Sequence, residues 1–219
     1  MTLPTMAQRA LYKPQVHEIS LVGGLAMYNN AYGDYTSGAP FSAIPQGGIQ
    51  YTYHHSITDG FRFGVDYRAL STQRARDNDP TSFLPLDYNG TFVNMGYERK
   101  YHRGASQLYG GADVLIYFGQ VEGDELLQRF NLEGAVSTTA WGGRAVAGYR
   151  LFFSPYVSVA LEANVFYLAH NYSRAVIEEN NGLRPVFPDN EIGAMAKVRL
   201  SYHFKKMKKR CTCKALNHR

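Results

Sequence analysis

Residues 191–204 read EIGAMAKVRLSYHF, in which polar and apolar side chains alternate almost without a slip. Side chains two positions apart lie on the same face of a β-strand, so this run predicts a strand with one oily and one charged face. Residues 157–170 repeat the pattern. Together these runs indicate a fold class, and they say nothing about ligand, substrate or partner.

The composition favours a single all-β domain. The chain has 219 residues, with 17 Tyr, 12 Phe and 21 Gly against one Trp, which favours strands and turns over helices. Its two cysteines, Cys211 and Cys213, lie in the last ten residues, so we expect no disulfide bonds within the core. No apolar run reaches the ~18 residues of a membrane-spanning helix. The mean hydropathy of −0.32 is nevertheless compatible with a transmembrane barrel, whose lumen and loops are polar.

The two ends of the chain are expected to lie outside the barrel. The net charge of +5 comes largely from a basic tail, residues 205–219, and no nucleic-acid recognition motif accompanies it, so no nucleic-acid partner is predicted. We expect this tail to be a disordered periplasmic end. Residues 1–15 are either a flexible arm or the remnant of a signal peptide, because Thr5-Met6-Ala7 resembles the small-residue end of a cleavage site.

About eight alternating runs follow one another between residues 16 and 204, and the gaps between them alternate in length. The runs are His17–Tyr28, Gln46–His55, Phe61–Leu70, Thr91–Tyr101, Gln107–Gly119, Thr138–Phe153, Val157–His170 and Glu191–Phe204. Long gaps at 29–45, 71–90, 120–137 and 171–190 alternate with short ones. An up-and-down barrel in an outer membrane has short periplasmic turns and longer external loops, so this rhythm predicts that architecture with both termini in the periplasm.

The alternation does not show whether the apolar face or the polar face points into the barrel. A soluble lipid carrier therefore stays an alternative, since it also has about eight strands but an apolar interior. Three features favour a membrane barrel whose apolar face contacts lipid. The polar face is rich in glycine, aromatic residues are concentrated near the short turns, and each run is long enough to cross a bilayer at a tilt. The polar face would then be a lumen charge network in which acids and bases pair. Its predicted members are Glu18, Arg62, Asp66, Arg68, Glu98, Asp113, Arg144, Arg150, Glu162, Lys197 and Arg199, and Glu162 is expected to pair with Arg144 or Arg150 from the neighbouring strand.

The last run carries a family resemblance. Residues 197–204 are similar to the insertion signal of small outer-membrane β-barrels of Gram-negative bacteria, a polar residue followed by aromatic residues at the sixth and eighth places, here Tyr202 and Phe204. Arg199 stands where glycine is usual, and a basic tail follows Phe204. The glycine-rich and tyrosine-rich strands resemble those of Bacteroidota. The resemblance covers residues 16–204 and implies an architecture, since such barrels serve as adhesins, enzymes and assembly subunits alike.

No catalytic, cofactor or metal site is predicted. Outer-membrane lipid deacylases place a His and a Ser two residues apart on one strand face; His54 and Ser56 have that spacing but lie at a turn, and His170 and Ser173 do not have it. Acids in the long gaps lack the spacing of a calcium loop. These acids are Asp77, Asp79, Glu122, Asp124, Glu125, Glu178 and Glu179. Aromatic residues in the same gaps are either loop packing or anchors for a protein partner.

The sequence therefore predicts a non-catalytic outer-membrane barrel that acts as a binding or assembly element through its external loops and periplasmic ends. Its expected partners are outer-membrane lipid, the barrel-insertion machinery, and a periplasmic or outer-membrane protein complex. Two alternatives stay open: a small barrel subunit of a secretion machine of the type IX kind, and a membrane-embedded hydrolase similar to lipid A deacylases.

Overall fold

The computed structural model describes residues 15–29, 41–76, 79–101, 106–122, 136–172 and 190–206, and all the secondary structure in those ranges is β-strand. The strands are β1 Gln15–Asn29, β2 Phe41–Tyr53, β3 Asp59–Arg76, β4 Asp79–Lys100, β5 Ser106–Glu122, β6 Val136–Phe152, β7 Val157–Tyr172 and β8 Asn190–Lys206. The described part of the chain contains no helix long and apolar enough to cross a membrane.

The eight strands close into one antiparallel barrel in which each strand pairs with its neighbour along the chain. The first and last strands complete the circle, and their register places Glu18 opposite His203 and Leu21 opposite Leu200. The all-β, eight-stranded, up-and-down prediction is confirmed. Strand β2 is joined to β3, β4 to β5 and β6 to β7 at one end of the barrel, here called the short-turn end. The opposite end, where β1 is joined to β2, β3 to β4, β5 to β6 and β7 to β8, is here called the long-connection end.

The predicted long gap at residues 71–90 is wrong. Most of it belongs to β3 and β4, which stay paired from Ser71 opposite Asp87 to Ala75 opposite Phe83, with a shift in register between Ala75 and Arg76. The other strands also run a few residues beyond their predicted ends at the long-connection end. Strand pairing in this hairpin depends on backbone hydrogen bonds, which do not require one oily and one polar face.

The barrel wall is apolar outside and polar inside. Large apolar side chains such as Leu21, Val165 and Leu200 are exposed on the outer surface, whereas all eleven predicted network residues are buried in the lumen. A soluble carrier has the opposite distribution, with its apolar face around an internal cavity. The soluble-carrier alternative is therefore wrong, and the outer surface is that of a barrel surrounded by lipid.

Aromatic side chains on the outer surface form rings towards both ends of the barrel. Near the short-turn end the exposed aromatic residues are Tyr53, Phe61, Phe63, Tyr97, Tyr101, Tyr149, Phe153, Tyr156 and Tyr202. Towards the long-connection end they are Tyr67, Phe118, Trp141 and Tyr167. Aliphatic residues lie between the two sets, and this order matches an apolar band flanked by aromatic girdles.

The turn between β2 and β3 is held by its own side chains. Ser56 Oγ accepts hydrogen bonds from the backbone amides of Thr58 at 3.1 Å and Asp59 at 2.9 Å. The hydroxyl groups of Thr58, Tyr97 and Ser56 also donate hydrogen bonds to the Asp59 carboxylate. His54, at the start of this connection, is buried in the lumen.

Candidate functional site

The lumen is filled by ion pairs arranged along the barrel axis, and the innermost pairs join strands that are not neighbours. Arg62 of β3 contacts Glu162 of β7 at 3.1 Å, and Arg150 of β6 contacts Glu18 of β1 at 3.0 Å. An arginine side chain is long enough to span a lumen that eight strands leave just wide enough for side chains. The lumen is therefore a packed polar core with cross-barrel links.

The predicted pairing of Glu162 with Arg144 or Arg150 is wrong. Among the described ion pairs, Glu162 contacts Arg62 at 3.1 Å and Arg199 at 3.6 Å. Tyr109 also donates a hydrogen bond to Glu162 Oε2 at 3.2 Å. Adjacency to β6 suggested the wrong partners for Glu162, because Arg62 reaches it across the lumen from β3 and Arg199 reaches it from the other neighbouring strand, β8.

A second group of pairs lies midway along the lumen. Arg144 donates to Asp113 Oδ2 from Nε at 2.9 Å and from Nη2 at 2.5 Å, and its Nη1 lies 3.5 Å from Asp66. Lys197 donates to Asp66 Oδ2 at 2.7 Å. Two acids thus share two bases here, which compensates the desolvation of all four charges.

Towards the long-connection end, the sequence-based network misses Glu191 and His170. Arg68 donates to Glu191 Oε1 at 2.8 Å, and His170 Nε2 lies 3.0 Å from Glu191 Oε2. The Arg68 guanidinium also lies 4.2 Å from the ring centre of Tyr117 and 5.0 Å from that of Phe92. The alternation placed Glu191 on the polar face, but no local sequence signal distinguished it from a solvated strand end.

At the short-turn end, Glu18, His54, Lys100 and His203 form a cluster that the sequence did not predict. The His54 amide donates to Val16 O at 2.7 Å, which extends the β1–β2 ladder past Tyr53 and points the His54 ring inward. His54 Nε2 lies 3.0 Å from Glu18 Oε2, and Lys100 Nζ lies 3.0 Å from His54 Nδ1. Burial, together with the nearby Lys100 ammonium, lowers the pKa of His54.

The structure gives no usable nucleophile to the His54–Ser56 pair that the hydrolase alternative would need. His54 bonds Glu18 and Lys100, while the Ser56 hydroxyl bonds Thr58 and Asp59. A buried Ser158 hydroxyl does lie 2.7 Å from His203 Nε2, but its side chain is fully enclosed by the barrel, so a lipid ester could not reach it. Ser173, the loop acids 77, 124, 125, 178 and 179, and the Cys211–Cys213 tail lie outside the described residues.

The predicted insertion signal lies on the outer surface of β8. Tyr202 is exposed, and its ring stacks on that of Phe204 with centroids 6.3 Å apart. The Phe204 ring in turn stacks on His17 of β1, at 5.1 Å. These aromatic side chains therefore cover the seam where the last strand meets the first. Their role as an insertion signal stays a prediction.

Comparison with known proteins shows the same fold in outer-membrane barrels. No protein-family model and no curated protein sequence matches this chain. Among solved structures, it is similar to Neisserial surface protein A, NspA, with 13% identity and a TM-score of 0.55, covering 86% of this chain and 97% of that one. OprG from Pseudomonas aeruginosa is 13% identical, with a TM-score of 0.53 and coverage of 88% and 98%.

The attachment invasion locus protein of Yersinia pestis, Ail, is a third structural neighbour. It is 11% identical, with a TM-score of 0.51 and coverage of 87% and 100%, and that structure holds the heparin analogue sucrose octasulfate. At this identity the likeness establishes the fold. These neighbours give no support to the expected Bacteroidota origin or to a role in a secretion machine.

Proposed function

We propose that this protein resides in the outer membrane of a Gram-negative bacterium and works without catalysis, as a binding or assembly element. The observation that carries the proposal is the contrast between the wall and the lumen. The exposed aliphatic band needs lipid around it, and the interior is occupied by ion pairs such as Arg62 with Glu162. A protein partner would then bind the loops or the chain ends, which lie beyond the apolar band.

The proposed orientation places the short-turn end and both termini in the periplasm and the long connections outside the cell. Outer-membrane barrels carry short turns on the periplasmic side and longer loops on the other, which supports this assignment. In this orientation the basic tail, residues 205–219, emerges into the periplasm. The outer-membrane lipid and the barrel-insertion machinery are then obligatory partners, and a protein complex is the partner to be identified.

The test begins with native membranes of a bacterium expressing the full chain. We expect the protein to require detergent for extraction and to migrate differently on gels before and after heating, because a folded barrel resists the gel detergent. Its mass in mild detergent then separates the two modes of action. One chain with its detergent belt indicates a barrel that binds through its loops, and a larger particle indicates an assembly subunit.

A matched variant that ends after Lys206 tests the part played by the tail. If the larger particle falls to one chain in this variant while the heat-dependent migration persists, the tail holds the complex together. Recovery of either form in the soluble fraction without detergent would contradict the membrane assignment.

A further inference from the structure

Three side chains, two from strands and one from the start of a turn, converge at the short-turn end of the lumen. Glu18 lies on β1, His54 directly follows β2, and His203 lies on β8 opposite Glu18 across the closing seam of the barrel. One carboxylate oxygen and two imidazole nitrogens from these residues all lie within 4.8 Å of one another, and all three side chains are buried. Neither the fold nor the proposed function accounts for this convergence.

The two oxygens of Glu18 have different surroundings. Oε1 accepts hydrogen bonds from Ser201 at 2.8 Å, Arg150 at 3.0 Å and Ser20 at 3.2 Å. Oε2 instead faces the two imidazoles, 3.0 Å from His54 Nε2 and 3.8 Å from His203 Nδ1. The donors on Oε1 thus fix the carboxylate and aim its other oxygen at the histidines, as outer contacts do for carboxylates that bind metals.

His203 is oriented in the same way. Its Nε2 is hydrogen-bonded to Ser158 Oγ at 2.7 Å, and the ring of Phe152 packs on it with centroids 5.0 Å apart. The Nδ1 atom therefore points at Glu18 Oε2 across 3.8 Å, which is too long for a hydrogen bond. A fixed imidazole nitrogen and a fixed carboxylate oxygen thus face each other across a gap that no proton bridges.

We propose that Glu18, His54 and His203 bind a divalent transition-metal ion, with Zn²⁺ as the best fit. Two imidazole nitrogens and one carboxylate oxygen are ligands that Zn²⁺ takes, and water completes the tetrahedron. Ligand atoms around a tetrahedral zinc lie about 3.4 Å apart, given bonds of about 2.1 Å. The separations of 3.0 and 3.8 Å from Glu18 Oε2 bracket that value, and the two imidazole nitrogens lie within 4.8 Å of each other, so the two rings would draw together around the ion. The ion would link β1, the start of the β2–β3 turn and β8 across the seam.

Lys100 opposes this binding and supplies a sharp test. Its ammonium lies 3.0 Å from His54 Nδ1, so it repels a cation on the same ring and must move aside when the ion binds. Replacing it by methionine keeps an unbranched side chain of similar length and removes the charge. Lys100→Met should therefore tighten metal binding, whereas a cluster that is only a hydrogen-bond network gains no affinity from this change.

The experiment uses the full chain refolded in detergent with Cys211→Ser and Cys213→Ser, so that tail thiols take no part. Co²⁺ is added first, because its visible absorption reports the ligands directly, and Zn²⁺ then displaces it in competition with a chelating dye. We expect one equivalent to bind. His54→Gln and His203→Gln should abolish the Co²⁺ spectrum, and Ser158→Ala, which keeps all three ligands, should weaken affinity about 10–100-fold.

His17→Gln and His55→Gln are matched controls, since these histidines lie outside the cluster. Heat-dependent gel migration checks that each variant is folded, and Ser158→Ala and Lys100→Met keep the test valid if a ligand variant does not fold. Absence of a Co²⁺ spectrum in the parent would overturn the site. So would binding that survives both ligand substitutions, or that does not tighten in Lys100→Met. The outcome is independent of whether the barrel acts alone or in a complex.

Discussion

Arg150 illustrates how single residues stabilise this lumen. Its guanidinium is fully buried, lies 3.0 Å from Glu18 and 3.4 Å from Glu98, and stands 5.1 Å from the ring centre of Tyr109. A buried charge is tolerated because opposite charges and hydrogen bonds replace its hydration. Removing one partner of such a group costs more than the pair contributes, because the remaining charge stays buried.

We therefore expect Arg150→Met to destabilise the barrel by about 3–5 kcal/mol, the usual cost of leaving a buried charge without its partner. Urea unfolding in detergent, followed by the fluorescence of Trp141, the single tryptophan, measures the change. Arg99→Met is the matched control: the Arg99 side chain is 62% exposed and lies 3.9 Å from Asp59, so its loss should cost at most about 1 kcal/mol. Equal effects of the two changes would contradict a structural role for the lumen pairs.

The sequence predicts which face of each strand carries Arg150 and Glu18, but it does not predict which residues these side chains contact. Alternation along a strand assigns Arg150 and Glu18 to the polar side, because the side-chain period of a strand is two. Their contact depends on the stagger between strands and on how far each side chain reaches across the lumen, and neither is written in a local pattern. For the same reason, the sequence did not predict that Glu18, His54 and His203 converge.

Two adjacent glycines of strand β6, Gly142 and Gly143, differ in how much space surrounds them. A Cβ on Gly142 would collide with the carbonyl oxygen of Tyr167 on β7, whereas one on Gly143 would meet its nearest neighbour, Asp113 O, at 3.7 Å. Gly142 thus permits close approach of two backbones on the concave inner side of the wall. Gly143 is exposed on the outer side, where a methyl group has room.

Gly142→Ala should therefore weaken the β6–β7 pairing and lower the urea midpoint, since a backbone contact cannot move aside without separating the strands. Gly143→Ala adds a methyl group in ordinary contact and removes backbone freedom from the unfolded chain, so it should leave the midpoint unchanged or raise it slightly. The two single variants are compared under the same refolding conditions. A fall of similar size in both would show that the close approach at Gly142 does not limit stability.

Strand ends were predicted less well than strand centres, for a related reason. In the centre of β3, lipid on one side and a packed lumen on the other impose the alternation seen at residues 61–69. Beyond that band the chemical contrast between the faces is no longer required, so the sequence of 71–90 shows turn-forming Asp, Asn and Pro among strand formers. The β3–β4 hairpin consequently continues to Arg76 and Asp79 without a period-two signature.

The barrel has the opposite distribution of side chains from a soluble protein, because its charged residues are buried and its large apolar residues are exposed. Val165 lies near the middle of β7 and is 60% exposed, next to Ala145 and Ala194 on the flanking strands. In water such a position accepts a charge readily. In the centre of a bilayer, an arginine there must draw water and headgroups towards itself.

Val165→Arg should consequently destabilise the inserted barrel by about 2–4 kcal/mol, the cost of arginine near the bilayer midplane. Ile57→Arg is the control, because Ile57 lies in the β2–β3 turn beyond the apolar band, where the cost falls to about 0–1 kcal/mol. Both variants are refolded into lipid vesicles, and urea unfolding gives the free energy of each. The difference between them should shrink in detergent micelles, whose thinner and more deformable apolar layer lets the arginine reach water. If Val165→Arg matches Ile57→Arg in vesicles, the exposed belt does not face lipid, and the outer surface needs a protein partner instead.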